Sequence, residues 1–177
     1  MSGVNEYLMP APWGSIVLCE DNHELCEVRP SLIRVDMPTP APEAVVEWMQ
    51  RIEDAVNAPK ATPAEVLEAL ISTQAFLRLS PFTQRVLTIV ADLAPGQWST
   101  YTEVARAAGN PAAARAVGQA LALNPFPILI GCHRVCGAAE RTAFDILKPE
   151  SYRPQAYLGE ESLAPVAQYL RLSDLSI

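Results

Sequence analysis

Proline does most to narrow the folds open to this chain. Each proline fixes φ and removes a backbone donor, so a helix holds one only in its first turn and a sheet only at an edge. Sixteen of them in 177 residues leave room for short elements joined by marked connections. "MPTPAPE" at 37–43 and "NAPKATP" at 57–63 are two such connections. "WGSIVLCEDNHELCEVRP", just before the first, reads as a hairpin turning at Asp21 and Asn22. "APEAVVEWMQRIEDAV" repeats apolar residues at helical spacing, and "AEVLEALI" after the second connection is another helix candidate.

From Ser80 onward the punctuation is sharper. "SPFTQRVLTIVADLAPG" offers Ser80 as N-cap, Pro81 at the first helical position and Pro95-Gly96 as the stop. "TYTEVARAAG" sets Thr100 and Glu103 at capping-box spacing, with Gly109 as C-terminal cap. "NPAAARAVGQALALN" follows with Asn110 as N-cap, Pro111 in the first turn and Asn124 as a left-handed terminator. These signals predict helices at about 101–108 and 111–123 joined by a tight turn, a helix-turn-helix candidate. Plain helical packing is the competing reading of the pair. The second helix is unusual in that alanine fills most positions and Arg115 is its sole charge, where a major-groove reader would carry more polar groups for base edges.

The expected fold is α/β in the α+β sense. A small domain over residues 1–79, with a β-hairpin and helices, precedes a mainly helical domain over 80–177 that carries the helix-turn-helix. At 177 residues the chain can bury a sizeable core, as one domain or two small ones. Half the residues are apolar, yet none of the runs approaches the roughly 18 that a membrane span needs. "MSGVNEYLMP" lacks the basic and apolar regions of a signal peptide, so a soluble cytoplasmic protein with no membrane partner is expected.

A net charge of −7 argues against a polyanionic partner taken over the whole surface. Residues 96–141 reverse the balance locally, with Arg106, Arg115, Arg134 and Arg141 against Glu103 and Glu140. Four cysteines are too few for a secreted disulfide framework. Cys19, His23 and Cys26 lie close together in the hairpin, but a fourth ligand is missing and ordinary strand roles explain them, so no metal is expected.

"ILIGCHRVCG" at 128–137 holds the sharpest chemical signal. Cys132 and Cys136 are not at a CxxC spacing, and His133 is adjacent to Cys132 rather than at a ligand offset. A buried inert thiol is one reading. The imidazole of His133 and the guanidinium of Arg134 favour a thiolate, which makes Cys132 a candidate nucleophile.

"NPFPILIGCHRV" resembles the active-site segment of the O6-alkylguanine-DNA alkyltransferases, whose usual form is Asn-Pro, a short apolar stretch and Pro-Cys-His-Arg-Val. The similarity runs back through "PGQWSTYTEVARAAGNPAAARAVGQAL" and "SPFTQRVL", covering about residues 80–136. It implies a repair protein that binds double-stranded DNA in the minor groove as a monomer, rotates an alkylated guanine out of the stack and moves the alkyl group irreversibly onto its own cysteine, without a cofactor. Carried over by position, Cys132 is the acceptor and His133 the base acting through a water. Asn124 orients the thiol site, Tyr101 crowds the target phosphate, Arg115 fills the gap left by the flipped base, Gly118 allows close approach to DNA, and Arg134 joins the DNA-contacting set. The family's histidine-supporting glutamate corresponds to Glu160 or Glu161.

The chain departs from the family at Gly131, where proline is usual and glycine would loosen the backbone before the nucleophile. It also lacks the Gly-rich guanine-binding loop after Val135, for which Tyr157-Leu158-Gly159 is a candidate remnant. Two other classes therefore stand beside the enzyme: a non-catalytic lesion-binding protein, and a helix-turn-helix DNA-binding regulator that has lost the guanine pocket.

Overall fold

The computed structural model describes residues 3–59, 61–139 and 163–174. Strands β1 (Asn5–Ala11), β2 (Gly14–Asp21) and β3 (Glu24–Ser31) form an antiparallel sheet in that order. The β2–β3 hairpin is present, but its turn falls on Asn22 and His23, one residue later than expected, with φ of 52° and 67°. Two successive left-handed residues match the twist of the flanking strands, and the Glu20 carboxylate holds the turn by accepting from the His23 backbone N–H. β1 is a strand that the sequence pattern does not announce. Its free edge is partly covered by the proline-rich connection, since Thr39 N donates to Leu8 O at 2.8 Å and Leu8 N to the Thr39 hydroxyl at 3.1 Å.

Helix α1 (Glu43–Asn57) turns Val45, Met49, Ile52 and Val56 inward, a spacing of three and four that lays one stripe against β2, where Ile16 and Leu18 are buried. Helices α2 (Ala64–Ile71) and α3 (Gln74–Leu77) lead to α4 (Pro81–Ala91). Ser80 caps α4 by accepting from Thr83 N at 3.1 Å, with Pro81 in the first turn. α5 (Tyr101–Ala107) opens on the complete Thr100/Glu103 capping box.

The end of α5 decides where the next helix starts. Gly109 adopts φ 84° and donates to Arg106 O, while Asn110 N reaches back to Ala105 O, the paired bonds of a Schellman motif. Asn110 is thus still closing α5 and does not cap its successor. Residues 110–113 form a turn, with Ala113 N bonded to Asn110 O, and α6 runs from Ala114 to Ala122, later than the expected 111. α4, α5 and α6 pack on one another, so the helix-turn-helix pair sits on a supporting helix.

A two-residue parallel pairing joins β4 (Ser99–Thr100) to β5 (Val135–Cys136). The described chain ends in α7 (Ala164–Asp174), a helix absent from the sequence-based expectation. Backbone and side-chain bonds link the sheet and first helices to the segment after α6: Val28 N donates to Pro125 O at 2.7 Å and the Thr62 hydroxyl to Leu129 O at 2.6 Å. Trp13 meets Tyr169 of α7 edge-on, ring centroids 5.4 Å apart. Buried apolar side chains from Met9 to Leu170 form one contiguous cluster. The architecture is the expected α+β mixture, and among the described residues no helix is long and apolar enough to cross a membrane.

Candidate active site

Cys132, His133 and Arg134 form a single 3₁₀ turn between the apolar run Phe126–Ile130 and β5, and all three side chains are buried. Local hydrogen bonds shape the turn: Cys132 N donates to Ile130 O at 2.7 Å and Arg134 N to Gly131 O at 3.0 Å. Asn124, directly after α6, braces the run from both ends. Its Oδ1 accepts from Phe126 N at 3.0 Å and its Nδ2 donates to Ile130 O at 3.3 Å. This fixes the backbone two residues before the thiol and ties it to the end of α6. Asn124 is not the expected left-handed terminator; the left-handed residue in this stretch is Ile128, at φ 77°. The Asn124 side chain satisfies the backbone instead.

His133 is sealed from solvent, and among the described residues neither ring nitrogen completes a hydrogen bond with a protein group. Nε2 faces Oδ2 of Asp174 at 3.4 Å, an ion-pair distance longer than a made hydrogen bond. A carboxylate on that side selects the tautomer with the proton on Nε2 and leaves the Nδ1 lone pair to accept a proton. Burial lowers the imidazole's affinity for a proton, and the cations Arg134 and Arg171 act in the same direction against Asp174, so His133 is held below its ordinary value. For Asp174, burial alone would raise the carboxyl, but the Arg134 fork and the nearby His133 outweigh it and hold the group below the usual range. The result is a neutral base beside a thiol, backed by a fixed anion.

Asp174 is the carboxylate beside His133 among the described residues; Glu160 and Glu161, where the supporting carboxylate is expected, and Tyr157-Leu158-Gly159 lie outside them. The available signal is the α7 stripe Val166, Ala167 and Leu170, whose helical spacing brings Asp174 to the same buried side. Arg171 is a second residue at the thiol turn that sequence reasoning missed. It donates from Nε to His133 O at 2.8 Å and lies over the Trp98 ring, 5.3 Å from its centroid, so α7 grips the backbone of the thiol turn.

Arg134 corrects a second expectation. Its expected place is among the DNA contacts, yet its guanidinium points inward, with Nε on Asp174 Oδ2 at 2.7 Å, Nη2 on Oδ1 at 2.9 Å and Nη1 on Leu93 O at 3.0 Å. A buried cation so bonded is withheld from phosphates. Gly131 is not held in a conformation reserved for glycine, since its φ is −71°.

On the helix-turn-helix, Tyr101 is half-buried at the start of α5, and a Cβ added to Gly118 would stand 3.9 Å from its ring. That is ordinary contact, so internal packing does not demand glycine at 118. Arg115 is exposed one turn earlier on α6, among exposed or half-buried Ala116, Gln119, Ala122 and Leu123. Cys19 and Cys26 sit in the sheet, far along the chain from Cys132, and among the described residues no three His, Cys, Asp or Glu side chains are gathered to hold a metal ion.

The fold and this site define a class: helix-turn-helix proteins that carry a thiol served by histidine and carboxylate. Residues 81–162 match the family model described as "6-O-methylguanine DNA methyltransferase, DNA binding domain". The chain is 39% identical over 99 residues to the methylated-DNA–protein-cysteine methyltransferase of Rattus norvegicus, a match covering 55% of this chain and 46% of the rat protein. It therefore spans about half the length of that curated relative. The crystal structure of Mycobacterium tuberculosis O6-methylguanine methyltransferase shares the fold, with a TM-score of 0.69 at 23% identity over 98% of this chain and 94% of that one. The structure of M. tuberculosis OGT in complex with DNA gives 0.58 at 23% identity over 96% of this chain and 98% of that one. Residues 81–162 therefore resemble the DNA-binding domain of the O6-methylguanine methyltransferases, and the fold of the described residues resembles that of the M. tuberculosis protein.

Proposed function

We propose that this chain is a methylated-DNA–protein-cysteine methyltransferase, which repairs O6-alkylguanine in double-stranded DNA by taking the alkyl group irreversibly onto Cys132. The single observation that carries the reading is the buried Cys132-His133 turn served by Asp174. The Cys132 proton passes through a water to Nδ1 of His133, and Asp174 offsets the charge of the imidazolium that forms. The sulfur then attacks the alkyl carbon, an S–C bond forms as the C–O6 bond breaks, and the guanine leaves with its normal O6. The thioether does not reverse, so each molecule acts once and no cofactor is consumed.

DNA is bound as a monomer in the minor groove through α5 and α6. Arg115 enters the stack in place of the flipped guanine and offsets part of the few kcal/mol that extrusion costs. Tyr101 presses on the target phosphate and Gly118 lets the α6 backbone come close, a role supported by the absence of any internal need for glycine there. Residues 80–177 carry the binding and chemical groups as one domain, and residues 1–79 are an N-terminal domain that supports them.

The test is incubation with O6-methylguanine DNA followed by peptide mass analysis. One added methyl on Cys132, with Cys19, Cys26 and Cys136 unmodified, is the expected result. Retained binding to damaged DNA with Cys132 unmodified overturns the enzyme reading in favour of a lesion-binding protein.

A further inference from the structure

We propose that Arg134 is a positioning residue for the histidine and thiol: its guanidinium fork sets the Asp174 carboxylate beside His133, in space that glycine at position 131 leaves open. The kinetic part of this inference rests on the alkyl-transfer reading; the geometric part does not.

Asp174 Oδ2 receives Arg134 Nε at 2.7 Å and approaches His133 Nε2 only to 3.4 Å. The second oxygen receives Arg134 Nη2 at 2.9 Å. Two short charge-assisted bonds against one long approach mean that arginine, and not histidine, dictates where the carboxylate stands. The third donor closes the frame, since Nη1 on Leu93 O at 3.0 Å anchors the guanidinium to the segment after α4. The fork therefore spans α7 and the α4 end, and it carries the anion of one to the imidazole on its own turn.

Gly131 belongs to the same device. A Cβ at that position would lie 2.6 Å from Arg134 Nη1, 3.1 Å from Cζ and 3.2 Å from Cδ. The end of an arginine ordinarily swings aside at little cost, but here it cannot move without releasing Asp174 or Leu93 O. A side chain at 131 and the fork thus exclude each other. Because the backbone at 131 is accessible to any residue, space and not conformation is what glycine supplies there.

Among the described residues, His133 lies between two cations and one anion: Arg134 on its own turn, and Arg171 and Asp174 from α7. Occupying the carboxylate with arginine keeps the imidazole neutral while leaving an anion within reach once a proton arrives. An aspartate held in this way needs no contact shorter than the one observed in the resting protein.

The test uses the full chain with Arg134→Gln, Gly131→Ala and the double substitution. The His133 imidazole titration is followed by NMR, and single-turnover methyl transfer is followed as a function of pH. Arg134→Gln frees Asp174 for His133 and removes a cation, so the titration should rise by about one pH unit or more. The acid limb of the rate profile should rise with it, slowing transfer at pH 6 about tenfold and at pH 8 much less, with DNA affinity unchanged. Gly131→Ala should move both readouts the same way by a smaller amount. The double variant should be no worse than Arg134→Gln alone, because one fork is lost only once. If Arg134→Gln does not fold, Gly131→Ala decides the matter by itself. Unchanged titration and rate profile in Gly131→Ala, equal slowing at all pH values, or additive effects of the two substitutions overturn the proposal. A parent protein that leaves Cys132 unmethylated defeats the enzyme reading instead, and the NMR titrations still decide the role of Arg134.

Discussion

Thr100 pairs with Cys136 across the β4–β5 ladder, and the same Thr100 caps α5 through its hydroxyl. The residue that begins the first helix of the helix-turn-helix is therefore one strand away from the segment leaving the thiol turn. Thr100→Ala removes the bond to Glu103 N and should cost about 1 kcal/mol, within the range for N-cap losses. For a chain of this size that corresponds to a fall in melting temperature of roughly 2–4 °C. Thr100→Ser, which keeps the acceptor, should restore most of it in the same thermal unfolding assay.

Asp174→Asn tests the anion that the buried Arg134 fork holds beside His133. Arg134 would lose this carboxylate, and breaking a buried pair in this way destabilises by about 3–5 kcal/mol. Urea denaturation checks this directly. On the remaining folded protein, single-turnover transfer to Cys132 should slow by at least about tenfold, within the 10²–10⁴-fold that general-base catalysis supplies. Transfer at the parent rate in folded Asp174→Asn would remove the carboxylate from the mechanism.

Acid should destabilise the protein in two windows. His133 is held below its ordinary 6.5 when folded, so below pH 6.5 the unfolded chain takes up the proton first and stability is lost as pH falls. Asp174 is depressed below its ordinary 3.8, so its contribution is present above that pH and is lost as pH falls further. At the alkaline end, burial pushes Cys19 up to about 11, against the opposing effect of Arg29, so stability should decline between pH 9 and 11 as the unfolded thiol ionises first. Urea midpoints across pH 5–8 in the parent and in His133→Gln isolate the first window, which should flatten in the variant.

Gly118 and Arg115 separate binding from folding. Gly118→Ala has room inside the protein and replaces a poor helix former, so it should leave stability unchanged or raise it by up to about 1 kcal/mol. It should at the same time weaken DNA binding by obstructing the approach of α6. Arg115→Ala, at an exposed position, should change stability by no more than about 0.5 kcal/mol while lowering DNA affinity and reducing the salt slope by about one. Titration of labelled duplex at several salt concentrations measures both. Affinity unaffected by either substitution would place the DNA surface elsewhere.

Features closed by short-range bonds are legible in the sequence. The Ser80 cap, the Thr100/Glu103 box and the left-handed Gly109 each involve groups within a few positions of one another, so residue type at fixed spacing is enough. The Cys132-His133 pair, adjacent in the chain, is likewise visible as chemistry. Where two local rules compete, local reading fails: Asn110 and Pro111 look like a helix start, but Asn110 N is already committed to Ala105 O. β1 goes unread because its pattern alone does not distinguish an edge strand from a loop. The direction of Arg134, the space at Gly131 and the placing of Asp174 beside His133 come only from tertiary structure. Arg134 and Asp174 are separated by 40 positions, and they meet because the buried stripe of α7 packs on the core. A charged side chain reads as surface by default; here the packing of α7 brings the anion, and the segment after α4 a carbonyl, that make its burial possible.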